Sequence, residues 1–469
     1  MKSALPKVLQ PLAGRPLLKH VIDTARSLEP AAIHVVYGHG GEQVREALAT
    51  EQVSWVLQAE RLGTGHATLQ AAPLIPDEHL AMVLFGDVPL IPRATLAELA
   101  GIAGPDQLAL LTMMLEAPAG YGRIIRSSQG LVQRIIEEKD ASPRELTIRE
   151  CSTGVMVMRA GALKRWLKSL RNENAQHEYY LTDVIALAVE ERVGVHALVA
   201  ADSSYVLGVN DRVQLAAVES AYRQRVTREL MLAGVGIVDP TRVDIRGSLT
   251  HGIDVTLDVN VVLEGNVKLG DRVRIGPHCV IRDSEIGDDT QVFPGCVIEG
   301  ALIGAECRIG PFARVRPTSS LASGVHIGNF VEVKNSRLGT ASKANHLSYV
   351  GDALVGERVN IGAGTIVANY DGAAKHRTTI GDDVHTGSNS VLVAPITIGA
   401  GATVAAGSTV TREVPGGKLT IARARQTTLE SWQRPGAVAP APVQKERTNP
   451  QHDKRNGQAS GPEGERSGE

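Results

Sequence analysis

The stretch LIGAECRIGPFARVRPTSSLASGVHIG, residues 302–328, places an aliphatic side chain at every sixth position from Ile303 to Ile327. The same spacing extends from about residue 255 to residue 410, and a glycine often follows the aliphatic residue, as in Ile361-Gly362. A period of six matches neither the repeat of a helix, about 3.6 residues, nor the alternation of a strand, about two. It predicts a parallel β-helix, in which each unit supplies one short strand and one corner, and glycine suits the corner backbone.

The fold alone leaves the function open, because a solenoid can serve only as a spacer. The chain has 469 residues, more than one core holds, so two or three domains are expected. Its 48 glycines and 3% aromatic residues fit a solenoid, which needs glycine at its turns and has little room for rings. A net charge of −2 gives no sign of a surface that binds nucleic acid or an anionic membrane.

The four cysteines, Cys151, Cys279, Cys296 and Cys307, lack the spacing of metal ligands. Two of them fall on or near positions of the six-residue repeat, so we expect small buried side chains rather than disulfides. The sequence has neither a signal-like apolar start nor an apolar run long enough to span a membrane. These features predict a cytoplasmic protein.

Residues 1–210 alternate apolar strands with amphipathic helices, which is typical of an α/β domain of the Rossmann type. We predict strands at residues 33–36, 55–57, 82–85, 109–115 and 154–158, and helices at residues 17–27 and 41–49. This order favours a largely parallel sheet with ligands at the carboxyl ends of its strands.

A connecting helix is predicted at residues 211–233, because apolar residues from Leu215 to Leu230 recur at three- and four-residue spacing. Gly234 is placed to end it. The solenoid then occupies residues 234–433. Residues 434–469 are rich in Pro, Gly, Ser and charged side chains, so this tail is predicted to be disordered.

Three short motifs of the first domain indicate phosphate and metal chemistry. Leu5-Pro6-Lys7 places a cation before a helix, and the glycine-rich turn Gln58–Ala67 suits a base or phosphate that approaches backbone amides. Phe85-Gly86-Asp87-Val88-Pro89 puts a carboxylate at the end of a buried strand, where it can hold Mg²⁺. Taken alone, such a Gly-Asp pair is more often a turn than a metal site.

Together the motifs resemble a known family. The order LPK, QxxxLGTGHA, GDVPL, GYGRI, EEKDA, STG, EYYLTD and GVNDR, followed by a hexapeptide solenoid, is similar to the bacterial bifunctional N-acetylglucosamine-1-phosphate uridylyltransferase/glucosamine-1-phosphate acetyltransferases. The similarity runs from Lys2 to about Pro435. It implies a pyrophosphorylase domain joined to a left-handed β-helix that is a trimeric acetyltransferase. The product would be UDP-N-acetylglucosamine, which feeds peptidoglycan and lipopolysaccharide synthesis.

The resemblance also implies roles for residues of the first domain. Uracil would be faced by Gln58, Gly63 and Thr64, and the phosphates of UTP by Lys7. Asp87 and Asn210 would bind Mg²⁺. The remaining contacts to the nucleotide and to the sugar phosphate would come from Phe85, Gly86, Gly122, Glu137 and Ser152. Such a phosphoryl transfer depends on positioning and charge neutralisation more than on an acid or base.

Two departures from the family stand out. A strand and a glycine-rich loop of the form LAAGxGTRM precede the LPK motif in the family, whereas here Met1 stands after that point, so either the start is misassigned or the domain is N-terminally truncated. For the chain as given, beginning at Met1, we expect good acetyl transfer and poor uridylyl transfer. Ser152 replaces the usual Asn before Thr-Gly, which weakens one contact without removing the site.

The solenoid's candidate residues lie on its cationic wall and where the six-residue repeat is interrupted, at residues 342–349 and 369–375. By resemblance, His346 is the general base that deprotonates the sugar's 2-amino group, a role that suits imidazole near neutral pH. Glucosamine 1-phosphate would be bound by Arg316, Lys334, Tyr349, Asn360 and Lys375. Acetyl-CoA would be bound by Ala363, Asn369, Tyr370, Ser388, Ala406 and Arg423. One coil offers a single wall, so the site should lie between subunits of a homotrimer.

Two alternatives remain at this point. The first is an acetyltransferase alone, whose uridylyl domain is inactive because the glycine-rich loop is missing. The second is a nucleotide-binding regulatory protein built on a solenoid trimer, which the presence of Lys7, Asp87, Asn210 and His346 disfavours.

Overall fold

A computed structural model describes residues 1–38 and 41–436 of the chain. Its contacts divide the chain into a compact unit, residues 1–423, and a second unit that starts at Ala424. The tail that was predicted to be disordered lies outside the described residues, apart from residues 434–436. In the described ranges, no helix is both long and apolar enough to cross a lipid bilayer.

The compact unit begins with an α/β domain. Its strands are β1 (Pro11–Leu12), β2 (Arg15–Pro16), β3 (His34–Gly38), β4 (Ser54–Gln58), β5 (Leu80–Val83), β6 (Gln107–Met114), β7 (Arg123–Arg126), β8 (Val132–Ile136), β9 (Glu150–Arg159) and β10 (Gly194–Val199). Its helices are α1 (Leu17–Arg26), α2 (Glu42–Ala47), α3 (Thr64–Ala71), α4 (Arg93–Ile102), α5 (Ala160–Ser169) and α6 (Val184–Glu190). The five predicted strands overlap β3, β4, β5, β6 and β9, and the two predicted helices overlap α1 and α2.

The prediction of a largely parallel sheet is wrong. Strand β9 runs antiparallel to β5, β6 and β7, and β7 runs antiparallel to β8. Strand β10 pairs with β6 in parallel, and β3 pairs with β4 in parallel as a separate two-stranded sheet. The chain enters β9 after the β7–β8 hairpin rather than after a crossover helix, and antiparallel pairing is what hairpin connections produce. The order of α and β elements could not reveal this reversal.

Helix α7 (Arg212–Leu232) links the domain to the solenoid. Its first turn is capped by Asp211, whose Oδ1 accepts a hydrogen bond of 2.8 Å from the Gln214 amide. Leu215, Val218 and Tyr222 are buried in a cluster with residues of the first turn-and-helix segment, so the helix packs on the α/β domain. Gly234 follows with φ +100°, a backbone shape that ends a helix.

The solenoid is a left-handed parallel β-helix with three faces, as the six-residue repeat predicts. Face A consists of the strands Gly236–Ile237, Thr256–Leu257, Arg274–Ile275, Gln291–Val292, Arg308–Ile309, His326–Asn329, Lys343–His346, Asn360–Ile361, His385–Thr386, Thr403–Val404 and Leu419–Thr420. Face B consists of Val280–Arg282, Val297–Glu299, Arg314–Val315, Glu332–Lys334, Tyr349–Gly351, Ile366–Ala368, Val391–Val393 and Thr409–Val410. Face C consists of Glu285–Ile286, Leu302–Ile303, Ser320–Leu321, Arg337–Leu338, Ala353–Val355, Thr378–Ile380 and Ile396–Ile398. The long first strands, Asp244–His251 and Val262–Leu269, contribute to faces B and C.

The six-residue repeat arises because, in each coil, each face points one aliphatic side chain into the interior. Ile281, Ile298 and Val315 are in register on successive coils of face B, and each is fully buried. Three such faces make a coil of 17 or 18 residues, so side chains that far apart in sequence become neighbours. The segment 369–377 lengthens one coil, and Glu357 and Asp382, on successive coils, are 25 residues apart.

The four cysteines are free and buried, as expected. In the solenoid, Cys279 and Cys296 belong to the aliphatic core, which is consistent with small apolar side chains rather than metal ligands.

Candidate active sites

In the α/β domain, two side-chain oxygens accept hydrogen bonds from one cation. Lys7 Nζ donates to Asp87 Oδ2 at 2.5 Å and to Asn210 Oδ1 at 3.0 Å. The Val209 amide also donates to the Asp87 carbonyl at 2.9 Å, which fixes the segment of Asn210 to the loop of Asp87. Carboxylate and amide oxygens that meet at a positive charge form a set that fits Mg²⁺, an ion that takes few protein ligands and keeps water and phosphate as the others.

No cluster of three or more His, Cys, Asp or Glu side chains suited to a metal occurs in the described part of the chain. The pair Asp87 and Asn210 therefore suits an ion whose coordination is completed by a substrate. Lys7 was predicted to face phosphates, and the structure places it as the ion partner of Asp87.

A second group joins Gly122, Glu137 and Ser152. The Ser152 amide donates to the Gly122 carbonyl at 2.9 Å. A Cβ on Gly122 would lie 3.4 Å from Glu137 Oε2 and 2.9 Å from Ile135, so this position has room only for glycine. Thr182 Oγ1 donates to Glu137 Oε1 at 2.8 Å and holds the carboxylate in place.

The carboxylates near this group are shifted toward the neutral form. Burial raises the pKa of Glu137 above its usual range. Burial also raises the pKa of Asp183 to about 6, with a contribution from the negative charges of Glu137 and Asp140. The Glu137 carboxylate, whose Oε2 faces Gly122, can accept hydrogen bonds from sugar hydroxyls.

Phe85 connects the loop of Asp87 to strand β9. Gly154 has φ +79°, and a Cβ there would lie 2.4 Å from the Phe85 ring. The glycine of the Ser-Thr-Gly motif is thus required both by its backbone and by this close approach. Gly86, the next residue, packs against Val8 and Leu18.

The third group is the glycine-rich turn before α3. Gln58 Nε2 donates to the Gly63 carbonyl at 3.1 Å, and the Gly65 amide donates to the Tyr179 carbonyl at 2.8 Å. The Leu181 amide donates to Thr64 Oγ1 at 3.0 Å. The EYYLTD segment therefore holds this turn and, through Thr182, also holds Glu137, so it ties the second group to the third.

In the solenoid, His346 lies at the end of the face A strand Lys343–His346. Its Nδ1 is 2.9 Å from Oδ1 of Asn329, which is in register with it on the preceding coil. An amide oxygen only accepts, so in this arrangement Nδ1 carries the hydrogen and Nε2 is left with its lone pair.

One residue per coil continues this line, which we call the acetyl column: Asn329, His346, Ala363, Ser388, Ala406 and Arg423. Each of the first four residues accepts a backbone hydrogen bond from the next coil; the pairs are Leu347 N to Asn329 O at 3.1 Å, Gly364 N to His346 O at 3.1 Å, Asn389 N to Ala363 O at 2.8 Å and Gly407 N to Ser388 O at 2.8 Å. Arg423 Nη1 donates to the Ala406 carbonyl at 2.8 Å. The structure thus brings together four of the six residues predicted to bind acetyl-CoA, and His346 lies at their end.

The sugar-phosphate residues are divided between two faces. Arg316 and Lys334 occupy equivalent positions on successive coils at the outer end of face B, where Arg316 Nη1 also donates to Glu332 Oε1 at 2.9 Å. Lys375, from the inserted segment, lies beside Lys334, and this neighbouring ammonium group lowers the pKa of Lys375. Lys375 is exposed and Lys334 is half-buried, and two neighbouring cations that disfavour each other make a suitable place for a phosphate.

The other predicted residues are partly joined to this cation group. Asn369 Nδ2 donates to Tyr349 Oη at 3.5 Å and also to Asp352 Oδ2. Tyr370 is 61% exposed on the inserted segment, and Asn360 lies on face A in register with Lys343. Asn360 is therefore not brought to Arg316 and Lys334 within one copy of the chain.

Sequence reasoning missed Asn329 and Thr182. The signal for Asn329 was available, since it precedes His346 by 17 residues, the length of a coil. Thr182 lies in the quoted EYYLTD motif, but its partner Glu137 is 45 residues away on another element, and no sequence spacing indicates that contact.

Comparison with known proteins gives matches to both the α/β domain and the solenoid. Three family descriptions match the chain: the MobA-like NTP transferase domain at residues 1–125, the GMPPB C-terminal domain at residues 245–326 and the bacterial transferase hexapeptide (six repeats) at residues 377–412. The bifunctional protein GlmU of Azoarcus sp. (strain BH72) is 54% identical over 435 residues, which cover 93% of this chain and 96% of the relative. The bifunctional protein GlmU of Stenotrophomonas maltophilia (strain K279a) is 53% identical over 436 residues, covering 93% and 95%.

The fold and the two sites define a two-domain transferase, with a nucleotidyltransferase domain followed by a hexapeptide-repeat acyltransferase domain. The chain belongs to the bifunctional GlmU family. It carries uridylyltransferase and acetyltransferase activity, as the UDP-N-acetylglucosamine diphosphorylase and the glucosamine-1-phosphate acetyltransferase of that family. The alternative of an acetyltransferase alone gains no support. The nucleotidyl transfer of this protein needs a metal, and its substrates are small molecules. Its hexapeptide repeat indicates an oligomer.

Proposed function

We propose that His346 Nε2 is the general base of acetyl transfer. The observation that carries this assignment is the contact between His346 Nδ1 and Asn329 Oδ1, which leaves Nε2 free to accept a proton. The 2-amino nitrogen of glucosamine 1-phosphate attacks the thioester carbonyl, its proton passes to Nε2, and the sulfur of CoA leaves. Arg316, Lys334 and Lys375 hold the phosphate, and Tyr349 and Asn360 complete the contacts to the sugar.

Acetyl-CoA lies along the acetyl column in this proposal. Successive coils of a β-helix are about 4.8 Å apart, so the four steps from His346 to Arg423 span roughly 19 Å. That length suits an extended pantetheine arm. Ala363, Ser388 and Ala406 are short side chains that leave room for it, Arg423 faces its phosphates, and Asn369 and Tyr370 flank it from the inserted segment.

In the α/β domain, Gln58, Gly63 and Thr64 face the uracil of UTP. Gly122, Glu137 and Ser152 hold N-acetylglucosamine 1-phosphate, while Phe85 and Gly86 shape the wall between the two. A phosphate oxygen of the sugar attacks the α-phosphorus of UTP, and diphosphate leaves. Positioning and neutralised charge account for most of the catalysis in such transfers.

The metal of this site is Mg²⁺, held by Asp87 and Asn210. The support is that both oxygens already converge on Lys7 Nζ. When bound, Mg²⁺ supplies charge neutralisation to phosphate oxygens. Lys7 is then free to turn from Asp87 toward the same phosphates, as a flexible point charge can.

The oligomer is a homotrimer in this proposal, and the protein works in the cytoplasm. Support for the trimer comes from an exposed apolar ridge next to the acetyl column, formed by Phe312, Phe330 and Leu347, which are 56%, 57% and 61% exposed. The two phenyl rings stack at 5.6 Å with an angle of 6° between their planes. Each residue of the ridge has a positive φ, a conformation that costs bulky side chains roughly 1 kcal/mol or more and that glycine would adopt freely.

Such a ridge is expected where another protein surface covers it. It lies beside His346, and the sugar-phosphate residues lie on faces A and B to either side. A neighbouring copy seated there would close a site that one convex corner leaves open.

Metal removal tests whether uridylyl transfer alone depends on the metal. Addition of EDTA is expected to abolish uridylyl transfer and to leave acetyl transfer unchanged, and Mg²⁺ should restore the lost activity. Asp87→Asn should lower uridylyl transfer by about 10²-fold or more, as loss of one preorganised electrostatic group does in other sites. Loss of acetyl transfer on chelation, or uridylyl transfer that survives it, would contradict the proposal.

A further inference from the structure

The side-chain amide of Gln58 is held by two acceptors. Gln58 is buried, at 8% exposure, and its Nε2 lies 3.1 Å from the Gly63 carbonyl and 3.1 Å from His66 Nδ1. An amide nitrogen has two hydrogens, so these two contacts use both of them. Within the described ranges, no protein group donates to Gln58 Oε1, and this oxygen remains for a ligand.

The backbone that carries these acceptors is rigid. Gly63 has φ +106°, and a Cβ there would lie 2.6 Å from the Tyr179 carbonyl. The Gly65 amide donates to that same carbonyl, and Thr64 Oγ1 accepts from the Leu181 amide. The Gly63 carbonyl therefore stays in place and accepts one hydrogen of Gln58 Nε2, and the acceptor for the second hydrogen is His66 Nδ1.

Each ring nitrogen of His66 lies within hydrogen-bond distance of a glutamine side-chain amide. Gln70 Nε2 is 3.1 Å from His66 Nε2 and 3.1 Å from the His66 carbonyl. A neutral imidazole accepts at only one nitrogen. Gln70 is half-exposed and can turn its amide toward solvent, whereas Gln58 is buried and fixed, so Nδ1 is the acceptor and Nε2 carries the hydrogen.

We propose that His66 is a positioning residue that determines which pyrimidine the first domain accepts. By accepting from the Gln58 amide, it keeps Oε1 of Gln58 turned toward the base. An oxygen can accept from the ring N3–H of uracil but repels N3 of cytosine, which has no hydrogen. The inference rests on the proposed placement of uracil at Gln58, and it assigns the selectivity to His66, which does not itself contact the base.

The test compares UTP with CTP as substrates of the full-length enzyme. His66→Phe keeps a ring but removes one of the two acceptors, so the Gln58 amide is held by the Gly63 carbonyl alone and turns over more easily. The ratio of kcat/KM for UTP to that for CTP is expected to fall about tenfold or more, within the range of one lost base contact. The change should lie in the KM of the nucleotides, and acetyl transfer should stay unchanged.

Gln70→Ala is the matched control, because it removes the contact at the other ring nitrogen and should leave the UTP to CTP ratio as it is. A ratio unchanged in His66→Phe overturns the inference. If Gln58→Ala uses UTP normally, the placement of uracil at Gln58 is wrong, which is a separate failure. Nitrogen-15 NMR of His66 in the wild-type enzyme gives a readout independent of the variants: the hydrogen should be on Nε2, and a hydrogen on Nδ1 contradicts the inference.

Discussion

The two catalytic regions of this protein are assembled in different ways. In the solenoid, the partners of the acetyl column come from successive coils, and Asn329 and His346 are 17 residues apart. In the α/β domain, Lys7 meets Asp87 across 80 residues and Asn210 across 203. The first site follows from one local rule repeated along the chain, whereas the second needs contacts between distant segments to form together. The two regions should therefore respond independently to substitutions.

The largest effect that would test this independence is expected at His346. His346→Ala removes the proposed general base and should lower acetyl transfer by about 10²–10⁴-fold. Uridylyl transfer should be unchanged, because no part of the first site depends on this face of the solenoid. Both rates are measured on the same preparation, with sedimentation as a check of assembly. A variant with near-normal acetyl transfer would exclude His346 as the base.

The next effect concerns assembly. If the two regions are independent, only the acetyl site of the solenoid should depend on a second copy of the chain. Phe330→Ser removes an apolar side chain from the ridge and should weaken each contact between copies by about 1.5–3 kcal/mol, the value of burying one such side chain. Sedimentation equilibrium should show dissociation at concentrations where the wild type forms the proposed trimer, and acetyl transfer should fall on dilution while uridylyl transfer is unchanged.

Leu302→Ser is the control for the ridge. Leu302 is 57% exposed on face C, as exposed as Phe330 but away from the acetyl column. It should leave assembly and both activities unchanged. Dissociation caused by Leu302→Ser but not by Phe330→Ser would place the contact between copies on face C instead.

The smallest effect is expected at Asn329. Asn329→Leu removes the acceptor that fixes the tautomer of His346, and kcat for acetyl transfer should fall about tenfold, roughly the value of one hydrogen bond. KM should change little, because Asn329 touches neither substrate in the proposed site. Nitrogen-15 NMR should show the His346 hydrogen shared between both ring nitrogens in the variant and confined to Nδ1 in the wild type.

Asn260 offers a matched control at the same corner, since its Nδ2 lies 3.2 Å from His278 Nδ1 on the next coil. Asn260→Leu should leave acetyl transfer unchanged. An equal loss of activity in both variants would mean that Asn329 only supports the fold.

The sequence predicted the solenoid because its folding rule is local. An aliphatic residue at every sixth position is enough to specify which side chains enter the core, and Ile309 and Val315 occupy the buried positions that this period predicts. The motifs likewise identified Asp87, Asn210 and His346 as candidates, because these residue types carry recognisable chemistry and the resemblance gave them an order.

Only the tertiary structure decided how these residues meet. Strand direction in the α/β domain depends on how the chain connects its strands, so the expectation of a largely parallel sheet failed at β9, which follows a hairpin. The contact of Lys334 with Lys375 depends on where the inserted segment folds back, and the orientation of the Gln58 amide depends on the Gly63 carbonyl and His66 together. A sequence states which groups are present and at what spacing along the chain. The direction of an amide or the tautomer of an imidazole is set by its neighbours in space, and those are known only once the chain has folded.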